Sequence, residues 1–187
     1  MKPKLTIELV PSGSWGANLR GVLSRKGWDI LRRWAYERAD HICEICGETG
    51  FEQGRKHAVE AHEIWTYDDD AKVQTLTGIQ ALCPRTHQCK HLGRSLKVGA
   101  GRLVFPHLEK VNGWSPEQAK AYADLCFLIH AHRSAFEWRV DLSWLASDEC
   151  PLEKGMVREA YEKAQDEYPN TFIDPDLLGS IEQENSE

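Results

Sequence analysis

No stretch of this 187-residue chain approaches the ~18 to 20 consecutive apolar residues that span a bilayer, so a membrane-spanning helix is excluded. Positive charge is also in short supply. There are 23 Lys and Arg against 29 Asp and Glu, a net charge of -6, which by itself is a slight argument against a nucleic-acid partner, since phosphate contacts need clustered Lys and Arg. An internal repeat is absent, so a solenoid or propeller is not expected. The basic start Met1-Lys2-Pro3-Lys4 is followed by Leu5, Ile7 and Leu9 alternating with Thr6 and Glu8, which is not the core of a secretory leader. The expected compartment is cytoplasmic.

What is present is the composition of a globular domain, 41% hydrophobic and 28% charged, long enough for one ordinary domain or a small core wrapped by extensions. Residues 4–10 alternate as a strand does. Trp28, Leu31 and Ala35 give residues 24–40 helical spacing. Residues 58–65 and 73–82 read as short strands around the turn Asp68-Asp69-Asp70, and a helix begins near Pro84 and stops at Gly93. Ser115-Pro116-Glu117-Gln118 carries a capping box and starts a helix that runs to about Ala131. Phe136, Trp138, Val140, Leu142 and Trp144 occupy every second position, which predicts a half-buried strand pairing with residues 4–10. A last helix covers Pro151 to about Tyr168, and the polar residues 170–187 are expected to be disordered.

The fold class expected is therefore α+β. An N-terminal strand and helix (1–40) precede a metal-bearing core (41–95), followed by C-terminal helices and a strand (96–169) and an acidic tail (170–187).

Two clusters carry chemistry. Cys43-Glu44-Ile45-Cys46-Gly47 presents two thiolates at the C-x2-C spacing that suits one tetrahedral Zn2+, and Cys83 is placed to add a third ligand. A regular second pair would put cysteine at Thr86, so His87, Cys89 or His91 is left to complete the site. The second cluster joins Val59-Glu60-Ala61-His62-Glu63-Ile64-Trp65 to Leu82-Cys83-Pro84-Arg85-Thr86-His87-Gln88-Cys89-Lys90-His91. A helix packed across a hairpin brings a strand histidine and helix histidines at i and i+4 into one pocket. Among the aromatics, Trp65 beside this cluster is the candidate for nucleic-acid contact, whereas Trp138, Trp144 and Trp28 read as core.

From about Cys43 to Gly93 the combination of zinc knuckle, hydrophobic-acid-histidine strand and Leu-Cys-containing helix resembles the HNH endonuclease family. The resemblance implies a zinc-stapled ββα-metal core. It also implies hydrolysis of nucleic-acid phosphodiester bonds, with DNA the favoured substrate. It makes His62 the general base and His87 a ligand of a catalytic divalent metal, Mg2+ or another. His91 is a second ligand through an H-x3-H arrangement similar to that of the colicin-type DNases. Three positions depart from the family pattern. The metal-binding acid is replaced by Ala61, so Glu60, Glu63 or Asp68 must compensate; the central Asn is Gly78; and the fourth zinc cysteine is Thr86. The second reading is thus a catalytically degenerate zinc module that binds nucleic acid or a protein partner. Arg85, Lys90, Arg94, Lys97, Arg102 and Lys110 form the expected basic stripe. A double-strand break would require a homodimer, for which the sequence shows no interface.

Overall fold

The structure is a computed structural model and describes residues 2–183. In chain order its regular elements are α1 (Leu19–Val22), α2 (Arg25–Arg38), β1 (Glu60–Asp68), β2 (Val73–Leu82), α3 (Pro84–Lys90), α4 (Leu92–Lys97), α5 (Gly101–Asn112), α6 (Pro116–Arg133), β3 (Arg139–Asp141), α7 (Lys154–Glu167), β4 (Thr171–Phe172) and α8 (Pro175–Gln183). The mixed α+β class is as expected, with one sheet ordered β1-β2-β3-β4. Among the described residues, no helix is long and apolar enough to cross a membrane.

β1 and β2 form a hairpin whose turn is closed by polar chemistry. Asp68 Oδ1 accepts hydrogen bonds from the backbone N–H groups of Asp70 and Ala71 at 2.9 and 2.8 Å, which accounts for an acid at this position without a metal. α3 follows β2 at once. Cys83 is extended (φ -63°, ψ 155°) and Pro84 fills the first turn, where its missing N–H costs nothing. α6 forms its capping box as the sequence indicates, Ser115 Oγ accepting from the Gln118 N–H and the Gln118 side chain from the Ser115 N–H.

Contacts divide the chain into two compact units, each assembled from three stretches. The first holds the residues up to Pro11, Ala35–His62 and Gln80–Ser134. Its core is Leu5, Ile7, Cys89, Leu92, Val104, Leu108, Ala119 and Ala123. The second holds Ser12–Trp34, Glu63–Ile79 and the chain from Ala135. There Trp138 is fully buried, its ring meeting Tyr67 edge-on at 5.6 Å.

Three expectations are corrected. Residues 4–10 form no strand. Their backbone is held by side chains and a helix end instead: Asn112 Oδ1 accepts from the N–H groups of Lys4 and Leu5 at 2.8 and 3.0 Å, Asn112 Nδ2 donates to the Leu5 carbonyl at 3.0 Å, and the Glu8 N–H reaches the Lys90 carbonyl at 2.9 Å. The strand expected over 136–144 shrinks to β3, which runs parallel to β2 (Gln74 opposite Val140) and to β4 (Val140 opposite Thr171). Trp138, Val140, Leu142 and Trp144 are buried as their alternation implies, but Asp141 Oδ1 accepts from the Ser143 N–H at 2.9 Å and turns the chain into a 3-10 helix. The tail is not wholly disordered: Thr171 and Ile173 are buried and β4 and α8 form within it, while 184–187 lie outside the described residues.

Asn112 is the clip that ties the N-terminal segment to the first unit. Asn112→Ala removes the partner of the exposed Lys4 N–H and strands the N–H and carbonyl of buried Leu5, and a buried polar group left unpaired costs about 1–3 kcal/mol. Thermal unfolding of this variant is expected to drop by several degrees, while an unchanged Tm would show that the clip contributes nothing.

Candidate metal centres

His62 lies on β1, and His87 and His91 lie at α3 and its C-terminal boundary. A nitrogen of each falls within 4.8 Å of those of the other two. The three rings form a near-equilateral set, with centroids 5.2, 4.9 and 4.8 Å apart and planes at 69–73°. His87 Nε2 and His91 Nε2 are separated by 3.1 Å. That separation lies between about 2.9 Å and 3.3 Å, the values for two nitrogens bonded at 2.0–2.1 Å to one octahedral or tetrahedral ion.

Two carboxylates stand behind the imidazoles. Glu60 Oε2 is 2.5 Å from His87 Nδ1, which leaves His87 Nε2 directed at His91. Glu8 Oε2 is 2.8 Å from His62 Nε2, and Glu8 Oε1 receives the Lys90 ammonium, which also donates to Thr6 Oγ1 at 2.8 Å. A carboxylate that takes the outer N–H fixes tautomer and ring angle and raises the basicity of the inner nitrogen. Burial pushes the Glu8 carboxyl up, but the His62 hydrogen bond and the Lys90 charge outweigh it, and the net shift is downward. The His87 hydrogen bond draws Glu60 down to about 2. Burial holds His62 below its ordinary value, and burial, reinforced by the neighbouring histidines, takes His91 down to about 3. His62 and His91 are therefore neutral at pH 7, the state in which imidazole binds a metal.

A second cluster surrounds the knuckle. Cys46 and Cys83 sulfurs are 3.5 Å apart, and the Cys43 thiol is drawn down by hydrogen bonds from Cys46 and Cys83. Gly47, with φ +78° and open space where a Cβ would stand, makes the left-handed turn after the pair. Glu44 pins the knuckle to the end of β2: its N–H donates to the Ala81 carbonyl at 3.0 Å and its Oε2 accepts from the Ala81 N–H at 2.5 Å. Glu48 and His107 lie within 4.8 Å of Cys46 and Cys83. His107, nearly fully buried on α5, is 2.9 Å from Thr86 Oγ1, and burial lowers its pKa.

The sequence-predicted residues thus sort into two groups. Cys46 and Cys83 come together with Glu48 and His107, and Cys43 packs beside the two sulfurs, while His62, His87 and His91 come together apart from them, so His87 and His91 are not drawn into the sulfur cluster. Cys89 joins neither: its Sγ faces the Val104 carbonyl at 3.4 Å in the core, where burial pushes the thiol up to about 12. Glu63 is also a correction. Successive strand residues point to opposite faces, and its carboxylate accepts from the Leu19 N–H at 2.7 Å and the Trp65 indole at 3.1 Å. Glu60, two residues before His62, shares its face, and its carboxylate meets His87 Nδ1. Lys90 is a correction to the basic stripe, being buried on Glu8 and Thr6. Gly78 sits at φ +153°, a conformation that an asparagine would strain to adopt.

Glu8 and His107 were not foreseen. Nothing in the alternation around Glu8 marks a site, and His107 lies 24 residues beyond Cys83, outside any short motif. No protein-family model, curated protein or solved structure matches the chain.

Two outcomes follow. Because the folded pKa of His91 lies below the ordinary 6.5, the unfolded chain binds more protons in this range. The stability contributed is full above 6.5 and is lost as pH falls towards about 3. Metal-free protein is expected to lose Tm between pH 7.5 and 5, above the carboxylate range, and His91→Gln to flatten that slope; parallel slopes would contradict it. Glu8→Gln and Glu60→Gln are each expected to weaken divalent-metal affinity about 10–100-fold by calorimetric titration.

Proposed function

We propose that the chain is a metal-dependent phosphodiesterase of the HNH endonuclease type, acting on nucleic acid, with DNA the favoured substrate. The observation that carries this reading is the convergence of His62, His87 and His91 at the junction of a β-hairpin and the following helix, each of His62 and His87 backed by a carboxylate. In this reading the three imidazoles would hold one divalent ion, and an all-nitrogen set with both carboxylates on the outer ring atoms suits Zn2+, Ni2+ or Mn2+ better than the Mg2+ that the resemblance implies. Such an ion supplies positive charge beside a phosphoryl oxygen and makes nearby water more acidic.

The chain's own contribution is positioning. Glu60 and Glu8 hold His87 and His62 in fixed tautomers, so no reorganisation is needed when the phosphate arrives. His62 is assigned here to the ligand set, in place of the general-base role that the family resemblance implies, because its ring is as close to His91 as His87 is. The zinc staple expected of such a core is the Cys43, Cys46 and Cys83 group, which holds the knuckle against the head of α3. Arg94, Lys97 and Arg102 are exposed on α4 and α5 and supply the positive surface for the phosphate backbone once Lys90 is removed from the stripe.

A degenerate module that binds without cutting is the second reading. It is favoured by one observation: Ala61 offers no ligand, Glu63 is engaged elsewhere, and Glu8 and Glu60 are both committed to imidazoles.

The test is nicking of supercoiled plasmid with Mg2+, Mn2+ or Ni2+, paired with metal titration of the same proteins. The wild type is expected to nick. His62→Ala is expected to lose both cleavage and at least tenfold in metal affinity. Lost cleavage with unchanged affinity would return His62 to the role of base. No cleavage by a protein that binds metal and, with strong salt dependence, DNA would select the binding module.

A further inference from the structure

We propose that His107 is the fourth protein ligand of a structural Zn2+ held by Cys43, Cys46 and Cys83, so that one ion joins the knuckle, the head of α3 and the middle of α5. The proposal rests on the zinc-staple reading of the sulfur cluster and not on phosphodiester cleavage.

Three thiolates leave a tetrahedral Zn2+ one position short, and the position where a second C-x2-C pair would supply it is Thr86. The Thr86 hydroxyl is fully buried among the sulfurs, 3.2 Å from Cys83 Sγ and 3.4 Å from Cys46 Sγ. It is also 2.9 Å from His107 Nε2. The imidazole of α5 therefore reaches over Thr86 into the place a thiolate at that position would have occupied. Residue exposures of 3% for Cys43, 0% for Cys83 and 4% for His107, with Cys46 half-buried, leave the site largely enclosed, as structural zinc sites are.

The other candidates are spoken for. His87 and His91 belong to the histidine cluster, and Cys89 lies in the core against Val104. Glu48 is close enough to bind, but Lys110 holds its Oε1 at 2.6 Å and Gln53 its Oε2 at 3.0 Å. A hard carboxylate already neutralised by an ammonium competes poorly with a third thiolate for Zn2+. Glu48 is placed instead as an outer neighbour. Gln53 is another: its Nε2 donates to Cys83 Sγ at 3.0 Å while its Oε1 accepts from the Arg85 N–H at 3.0 Å, so one side chain orients a ligand and caps α3.

The experiment uses full-length protein carrying His87→Ala and His91→Ala, so that zinc at the sulfur cluster is read alone. Metal analysis is expected to give one Zn2+ per chain, and X-ray absorption a shell of three sulfurs and one nitrogen. Adding His107→Ala is expected to lower zinc affinity at least tenfold in competition with a chelator. Adding His107→Cys is expected to restore tight binding with four sulfurs. The Cys variant decides the matter if the Ala variant does not fold. A three-sulfur shell in the Cys variant, full affinity in a folded Ala variant, or loss of zinc on Glu48→Gln would each overturn the assignment. None of these outcomes depends on plasmid nicking, so this proposal and the nuclease reading can fail separately.

Discussion

The buried carboxylate of Glu8 is the constraint around which the histidine cluster is arranged. It receives His62 on one oxygen and Lys90 on the other, with side-chain exposures of 5% for His62 and 6% for Lys90. The Lys90 ammonium could not sit there without it, because an unpaired buried charge costs several kcal/mol and removing one member of such a pair costs about 3–5 kcal/mol, while neutral His62 gains a hydrogen-bond partner. The arrangement fixes the N-terminal segment to α3, sets the His62 ring, and neutralises the Lys90 ammonium beside the histidines. The net charge at that point is close to neutral with His62 uncharged, so a divalent cation meets no local excess of positive charge.

The two clusters differ in a way that suits different work. The sulfur group is the more enclosed, with Cys43, Cys83 and His107 almost without solvent contact and Cys46 half-buried, whereas in the histidine cluster only His62 is buried and His87 and His91 are half-buried. A closed donor set stabilises a fold and an accessible one admits substrate. Both meet at α3: Cys83 is the residue before its first turn, and His87 and His91 lie on it and at its C-terminal boundary. That single short helix therefore links the sulfur cluster to the histidine cluster.

Much of this could be read from the chain. The hairpin, the helix after Pro84, the capping box at Ser115 and the gathering of His62 with His87 and His91 follow from period-two and period-3.6 spacing, which local sterics enforce. What could not be read depends on contacts distant in sequence. The alternation at residues 4–10 correctly marks Leu5 and Ile7 as core, but the partners of this segment's backbone are the Asn112 side chain, 107 residues beyond Leu5, and the Lys90 carbonyl, 82 residues beyond Glu8. The same holds for β3, whose alternating apolar residues are buried but whose partners are β2 and β4. Glu63 shows the reverse lesson: strand alternation alone assigns it to the face away from His62, and Glu60 to the face beside it.

The central claim is that His62, His87 and His91 together bind one divalent ion. Anomalous diffraction from crystals soaked in Mn2+ tests it most directly. The account predicts a peak bonded to all three imidazoles, with Glu8 and Glu60 remaining on their outer nitrogens. A peak on the Asp68-Asp69-Asp70 turn with none at the histidines, or one bonded to His87 and His91 while His62 stands apart, would contradict it.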